Sequence, residues 1–190
     1  MVYLKGLIKH AVRFRHKRGY GVHSPFMFNL ILNVIRDREG RFAYPLNLEK
    51  RWLLSGREIK MCRLLSRLVR YFEVGEVVCI GNDAELLAGY LPEVYREAAI
   101  LCNRPDSLGQ ADFIYLGHDS ARFLSGGFVL PAFPESVSGY IVIADIYRNT
   151  LNRRIWCQCM DSATVSVDMV WCGLLLFDNR IQRGKYSLTI

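Results

Sequence analysis

The feature that most constrains the fold of this 190-residue chain is a series of short runs that are apolar at every position. Val77-Val78-Cys79-Ile80 ends at Gly81, and Ala98-Ala99-Ile100-Leu101-Cys102 ends at Asn103. Phe113-Ile114-Tyr115-Leu116 ends at Gly117, and Tyr140-Ile141-Val142-Ile143-Ala144 ends at Asp145. A continuous apolar run of this length implies a strand buried on both faces, the pattern of a mostly parallel sheet covered by helices. Helical stretches fall between the runs: 83–91, stopped by Pro92, and 150–160, which holds Ile155, Trp156 and Cys159. The alternation predicts an α/β fold of Rossmann-like type with a twisted sheet. The tail, Val165 to Met169, Cys172 to Phe177 and Tyr186 to Ile190, reads as antiparallel strands. One connection breaks the pattern. Only Asn103 to Gln110 separates the second run from the third, whereas a parallel crossover takes about a dozen residues or more. One β-α unit is therefore expected to be missing around 103–110.

The front of the chain has a different texture. Residues 2–16 read as an amphipathic helix with Leu4, Leu7, Ile8, Ala11 and Val12 on one face and Lys5, Lys9 and Arg13 largely away from it. After two glycines, Ser24-Pro25 is a helix start, with Ser as N-cap and Pro at the first helical position. The helix that follows carries Phe26, Leu30, Ile31, Val34 and Ile35 to about Asp37. A basic helix then runs to about Phe72, with Met61, Leu64, Leu65, Leu68, Val69 and Phe72 on one face and a candidate break at Ser55-Gly56. Without a linker or repeat, the expectation is one domain over 1–190: a helical N-terminal subregion (1–72) on a Rossmann-like core (73–190).

Composition narrows the classes. Hydrophobic residues make up 51% and charged residues 23% of the chain, globular values that exclude disorder. No apolar run approaches the roughly 20 residues needed to span a bilayer, and no secretory signal pattern is visible; the location expected is cytoplasmic. The formal net charge is +7. It is concentrated in the first helix and in a second cluster of Lys50, Arg51, Arg57, Lys60, Arg63, Arg67 and Arg70. Such clusters bind phosphate-rich partners or form solvated helix faces. The 6 cysteines fit no disulfide framework in a chain this large. Cys157 and Cys159 lack the second pair a zinc site would need, so no metal is expected.

Several strings resemble the class I S-adenosylmethionine-dependent methyltransferases. The most similar group is a set of small bacterial methyltransferase-like proteins with an N-terminal R-G-x-G-[IV]-H-S-P-F motif, here Arg18-Gly19-Tyr20-Gly21-Val22-His23-Ser24-Pro25-Phe26. Ile143-Ala144-Asp145-Ile146 resembles a strand ending in D-D-I. Val165 to Asp168 and Gly173 to Phe177 resemble the closing hairpin of the same group. The resemblance implies that S-adenosylmethionine binds at the carboxyl ends of the strands, with an E-x-G-x-x-x-G turn after the first strand and an acid for the ribose after the second. Gly81 matches that turn, but Cys79 stands at its acidic position and Glu85 at its second glycine. Asn103 stands for the ribose acid, Gly117 for an Asp that ligates metal in some relatives, and Ala144 for the first Asp of D-D-I. The residues implied for cofactor contact are then Gly81, Asn82, Asp83 and Asn103, and those for catalysis Asp145 and His23.

With so many site positions changed, the reading adopted is a methyltransferase-like protein with lost or much reduced cofactor binding. It predicts that Glu85 or the short loop near Pro105 fills the pocket beside Gly81. One alternative is an active methyltransferase on a small-molecule acceptor using atypical contacts. Another is a basic adaptor for a membrane surface or nucleic acid, less favoured because RRM and KH motifs are absent. A protein partner fits the first reading. Each candidate also has a plain structural role: His23 ordering the turn before the helix, Asp83 and Glu85 capping a helix, and Asp145 capping or pairing with Arg148. His118-Asp119-Ser120 is not expected to form a nucleophilic triad, because sequence neighbours rarely face one another.

Overall fold

The structure is a computed structural model, and it describes residues 24–37, 39–124, 131 and 138–188. The amphipathic segment at 2–16, the first part of the R-G-x-G string and His23 lie outside the described residues.

Seven strands form one sheet in the order β2-β1-β3-β4-β6-β5-β7. They are β1 (Glu76–Ile80), β2 (Ala99–Cys102), β3 (Phe113–Leu116), β4 (Gly139–Ala144), β5 (Val165–Asp168), β6 (Cys172–Phe177) and β7 (Gly184–Ser187). The first four pair in parallel. β6 runs antiparallel to both β4 and β5. β7 is parallel to β5, so the tail is antiparallel only about β6: the last strand passes β5 and joins its outer edge. The fully apolar runs of β1, β3 and β4 have the expected cause, whereas β2, at the edge, has no buried residue. Val77, Cys79, Phe113 and Tyr115 face one core, while Val78, Ile80, Ile114 and Leu116 face a second, because side chains alternate across a strand. β2 is an edge strand, and the residues after it make a single 3₁₀ turn, Pro105–Ser107, before β3. The short connection thus crosses to β3 with no helix and no further strand.

The first core is covered by α1 (Pro25–Asn29), α3 (Gly56–Tyr71) and α4 (Ala84–Tyr90), with α2 (Leu46–Arg51) packed outside, and the second by α5 (Thr150–Cys159). Ser24 accepts from Met27 N and Pro25 occupies the first turn of α1, as expected. The helix does not stay α-helical: Leu30–Ile35 is a π-helix closed by Arg36 N–H to Ile31 O at 3.1 Å. Arg67 takes its end, donating to Val34 O (2.5 Å) and Ile35 O (2.9 Å). The basic stretch 46–72 does break in two. Ser55 and Glu58 form a reciprocal capping box at the start of α3, which satisfies two otherwise open backbone groups.

The second basic cluster is only partly a solvated face. Arg63 grips the buried Glu49 with two bonds of 2.9 and 2.6 Å, and Tyr90 Oη donates to the same carboxylate at 2.6 Å. Arg63 and Arg67 therefore bind helices together, while Lys50, Arg51, Lys60 and Arg70 remain exposed. All six cysteines are free; Cys79 and Cys172 are buried as expected, Cys102 is half-buried, and Cys157 is exposed. Among the described residues no helix is long and apolar enough to cross a membrane, and no cluster of His, Cys, Asp and Glu is placed to hold a metal ion.

Candidate functional site

Open α/β sheets bind ligands outside the carboxyl ends of the strands, where the strand order reverses. Here the reversal lies between β1 and β3, because β2 lies outside β1 and β3 on its other side. Gly81, at φ +143, turns the chain out of β1, and Gly117 directly follows β3. A Cβ on Gly81 would stand 2.8 Å from His118 O and 2.9 Å from Asp83 Oδ1; on Gly117 it would stand 2.0 Å from Asp83 Oδ1. These glycines do not open the crevice to a ligand. The Asp83 carboxylate occupies the space they leave.

Asp83 stands at the N-cap of α4 but makes no side-chain cap bond, so it does not act as the expected capping carboxylate. Its oxygens turn toward β3 and accept from Tyr115 Oη at 2.5 Å and from His118 N–H at 3.1 Å. Burial and the adjacent Asp83 charge hold the Tyr115 phenol well above its ordinary pKa, so Tyr115 stays a donor. The loops after β1 and β3 are further joined by Asn82 N–H to His118 O (2.9 Å) and Asn82 Nδ2 to Asp119 Oδ2 (2.9 Å). Asn103, at φ 52, accepts the Gly81 N–H on its Oδ1 at 2.8 Å. The residues implied for cofactor contact thus come together, and they bond to the protein itself. Glu85 is exposed in the first turn of α4. The filling side chain is Asp83 rather than Glu85 or the Pro105 loop.

Asp145 lies one strand further along, buried at the end of β4 with φ 55. Arg57 Nη2 donates to its Oδ1, and His118 Nδ1 lies 2.5 Å from its Oδ2. Burial alone would raise the Asp145 pKa; the His118 hydrogen bond and charge, together with Arg57, outweigh it and bring the carboxyl below its usual value. The same hydrogen bond raises the His118 pKa against the opposing effect of desolvation. The ion-pair partners of Asp145 are thus Arg57 and His118, where Arg148 was expected. A charged, doubly held carboxylate is a poor general base and a good anchor.

Sequence reasoning missed the His118–Asp145 contact. Its signal was the register: Leu116 pairs with Ile143, so His118 and Asp145, each two places beyond that pair, meet. Nothing in a single sequence sets that register. His118, Asp119 and Ser120 diverge as expected, toward Asp145, Asn82 and Asn152 respectively. The buried Asn152 was also missed; its Nδ2 donates to Ala144 O (2.7 Å) and Gly117 O (3.2 Å), tying the ends of β3 and β4 together.

Two hollows flank Arg57. A smaller one of about 210 Å³ lies toward Asp83, Tyr115 and His118. A larger one of about 360 Å³ lies toward Asp145, Arg148 and Trp171. Comparison of this chain with family models, with curated proteins and with solved structures finds no match.

Proposed function

We propose that this chain is a methyltransferase-type α/β domain that does not hold S-adenosylmethionine and serves as a non-catalytic binding protein. The observation that carries the reading is the Asp83 carboxylate lodged against Gly81 and Gly117, bonded to Tyr115 and His118. A cofactor entering there would have to displace a charged group from a buried partner. Two further features support it. Asn103, at the position implied for the ribose, has its acceptor oxygen engaged by Gly81 N–H. Cys79, at the position implied for the methionine end, is buried in the core. The strands quoted for the resemblance lie in one sheet, with the connection at 103–110 reduced to a 3₁₀ turn.

The test is thermal unfolding with and without excess S-adenosylmethionine and its demethylated product. A ligand at a hundred times its dissociation constant stabilises by about 2.7 kcal/mol, a shift of roughly 5–10 °C for a chain of this size. The expected result is no shift at millimolar ligand. A saturable shift with either compound overturns the reading and favours an active methyltransferase with atypical contacts.

A further inference from the structure

We propose that the 360 Å³ cavity beside Asp145 is a binding site for a small phosphate monoester that carries a flat apolar group. The cavity is framed by Arg57 and Lys60 from α3, Asp145 and Arg148 after β4, and Val170 and Trp171 before β6. Three cations from two separate parts of the chain thus share one concavity with a single carboxylate. That carboxylate is already matched on both oxygens, by Arg57 and His118. The described lining has a net charge of two positive, the complement of a phosphate monoester, which carries about −1.5 to −2 at pH 7. Guanidinium groups favour such a ligand because their planar fork meets phosphate oxygens in pairs. The first turn of α3, through Gly56 and Arg57, lies at the same mouth, which strengthens the site without defining it.

The opposite wall selects the other half of the ligand. Val170 has φ 70, a left-handed backbone that a β-branched residue adopts only under constraint. Asp145, at φ 55, is held in the same region. Strained backbone of this kind concentrates at ligand clamps, where surrounding structure enforces it. Val170 is fixed by its N–H to Asp168 Oδ1 at 3.0 Å, and Trp171 by its N–H to Met169 O at 2.9 Å. The result is an indole wall beside a cationic floor. The Trp171 Nε1–H is itself buried, without an acceptor among the described residues.

The proposal stands apart from the cofactor question, because the crevice between β1 and β3 takes no part in it. The probe is phenyl phosphate, with inorganic phosphate and phenol as its two halves, measured by calorimetric titration and thermal unfolding at matched ionic strength. Saturable binding of phenyl phosphate is expected, tighter than that of inorganic phosphate, with no shift from phenol. Lys60→Gln, at an exposed position, should weaken it severalfold with unchanged unfolding of the free protein, and Lys60→Gln with Arg148→Gln should weaken it by about tenfold or more. Trp171→Phe should retain binding better than Trp171→Ala. No saturable binding at millimolar probe overturns the site, as does equal affinity in the Lys60→Gln protein. Phenyl phosphate and inorganic phosphate binding alike overturns the role of the indole wall. A shift with S-adenosylmethionine in the same assay would bear on the crevice alone.

Discussion

The two halves of the sheet's carboxyl edge treat their carboxylates in opposite ways. Between β1 and β3, Asp83 is turned inward, accepts from Tyr115 and His118, and fills the space that two glycines leave. Beside β4, Asp145 is equally well matched, by Arg57 and His118, yet the larger hollow, about 360 Å³, lies next to it, against about 210 Å³ beside Asp83. His118 belongs to both: its backbone N–H serves Asp83 and its ring serves Asp145. The difference teaches that satisfied polar groups do not by themselves close a site. Closure depends on whether the side chain points across the crevice or along its rim.

The comparison can be broken most sharply at Asp83. Asp83→Ala should leave the fully buried Tyr115 hydroxyl without its acceptor, at a cost of about 2–3 kcal/mol, read as a lower midpoint in denaturant. The double variant Asp83→Ala, Tyr115→Phe should regain part of that loss, since both partners are then absent. Gly117→Ala comes next. Its methyl group would stand 2.0 Å from Asp83 Oδ1 and 2.6 Å from Tyr115 Cε1, an overpacking worth about 1–3 kcal/mol. The penalty should shrink when Asp83→Ala is added, and strict additivity of the two would show that Asp83 does not fill the crevice.

The β4 side should respond less, because Arg57 and His118 are 36% and 44% exposed. Asp145→Asn should cost about 1–2 kcal/mol, below the figure for a fully buried pair. The pH dependence is smaller still. His118 has a raised pKa in the folded protein, so its contribution is fully present below its unfolded value near 6.5 and is lost as pH rises through the folded value. Asp145 is lowered, so its contribution is present above the unfolded value near 3.9 and fades as pH falls through the folded one. A His118→Gln protein should lose the decline on the alkaline side, an effect of a few tenths of a kcal/mol, as for solvent-screened pairs. An unchanged pH profile would separate His118 from Asp145 in function.

Much of the fold was legible because strand burial writes itself into sequence. The runs at 77–80, 113–116 and 140–144 need apolar side chains on both faces, helix 84–90 is stopped by Pro92, and helix 150–159 is capped by Asn149. The break at Ser55 was visible through its capping residues. The π-helical stretch at Leu30–Ile35 was not, since its apolar spacing is also that of an α-helix and its carbonyls are taken by Arg67, 32 residues beyond Ile35. The parallel placement of β7 was hidden for a similar reason: pairing partners are a property of the sheet, not of the strand. At the site, Gly81, Asn82, Asp83 and Asn103 lie together on neighbouring loops, but their bonding partners were not legible, and neither were His118 and Asn152. Asp83 reads as a helix cap until Tyr115 is placed opposite it. Arg63 reads as a surface cation until Glu49 is found beneath it.

The Asp83–Tyr115 contact has a consequence for how this chain can change over generations. Removing the carboxylate alone strands a buried phenol, and removing the phenol alone takes one of two donors from a half-buried carboxylate. Each first step lowers stability before any space is gained, in a molecule whose whole margin is about 5–15 kcal/mol. The contact therefore works as a ratchet: simple to keep, and escaped only by paired substitutions.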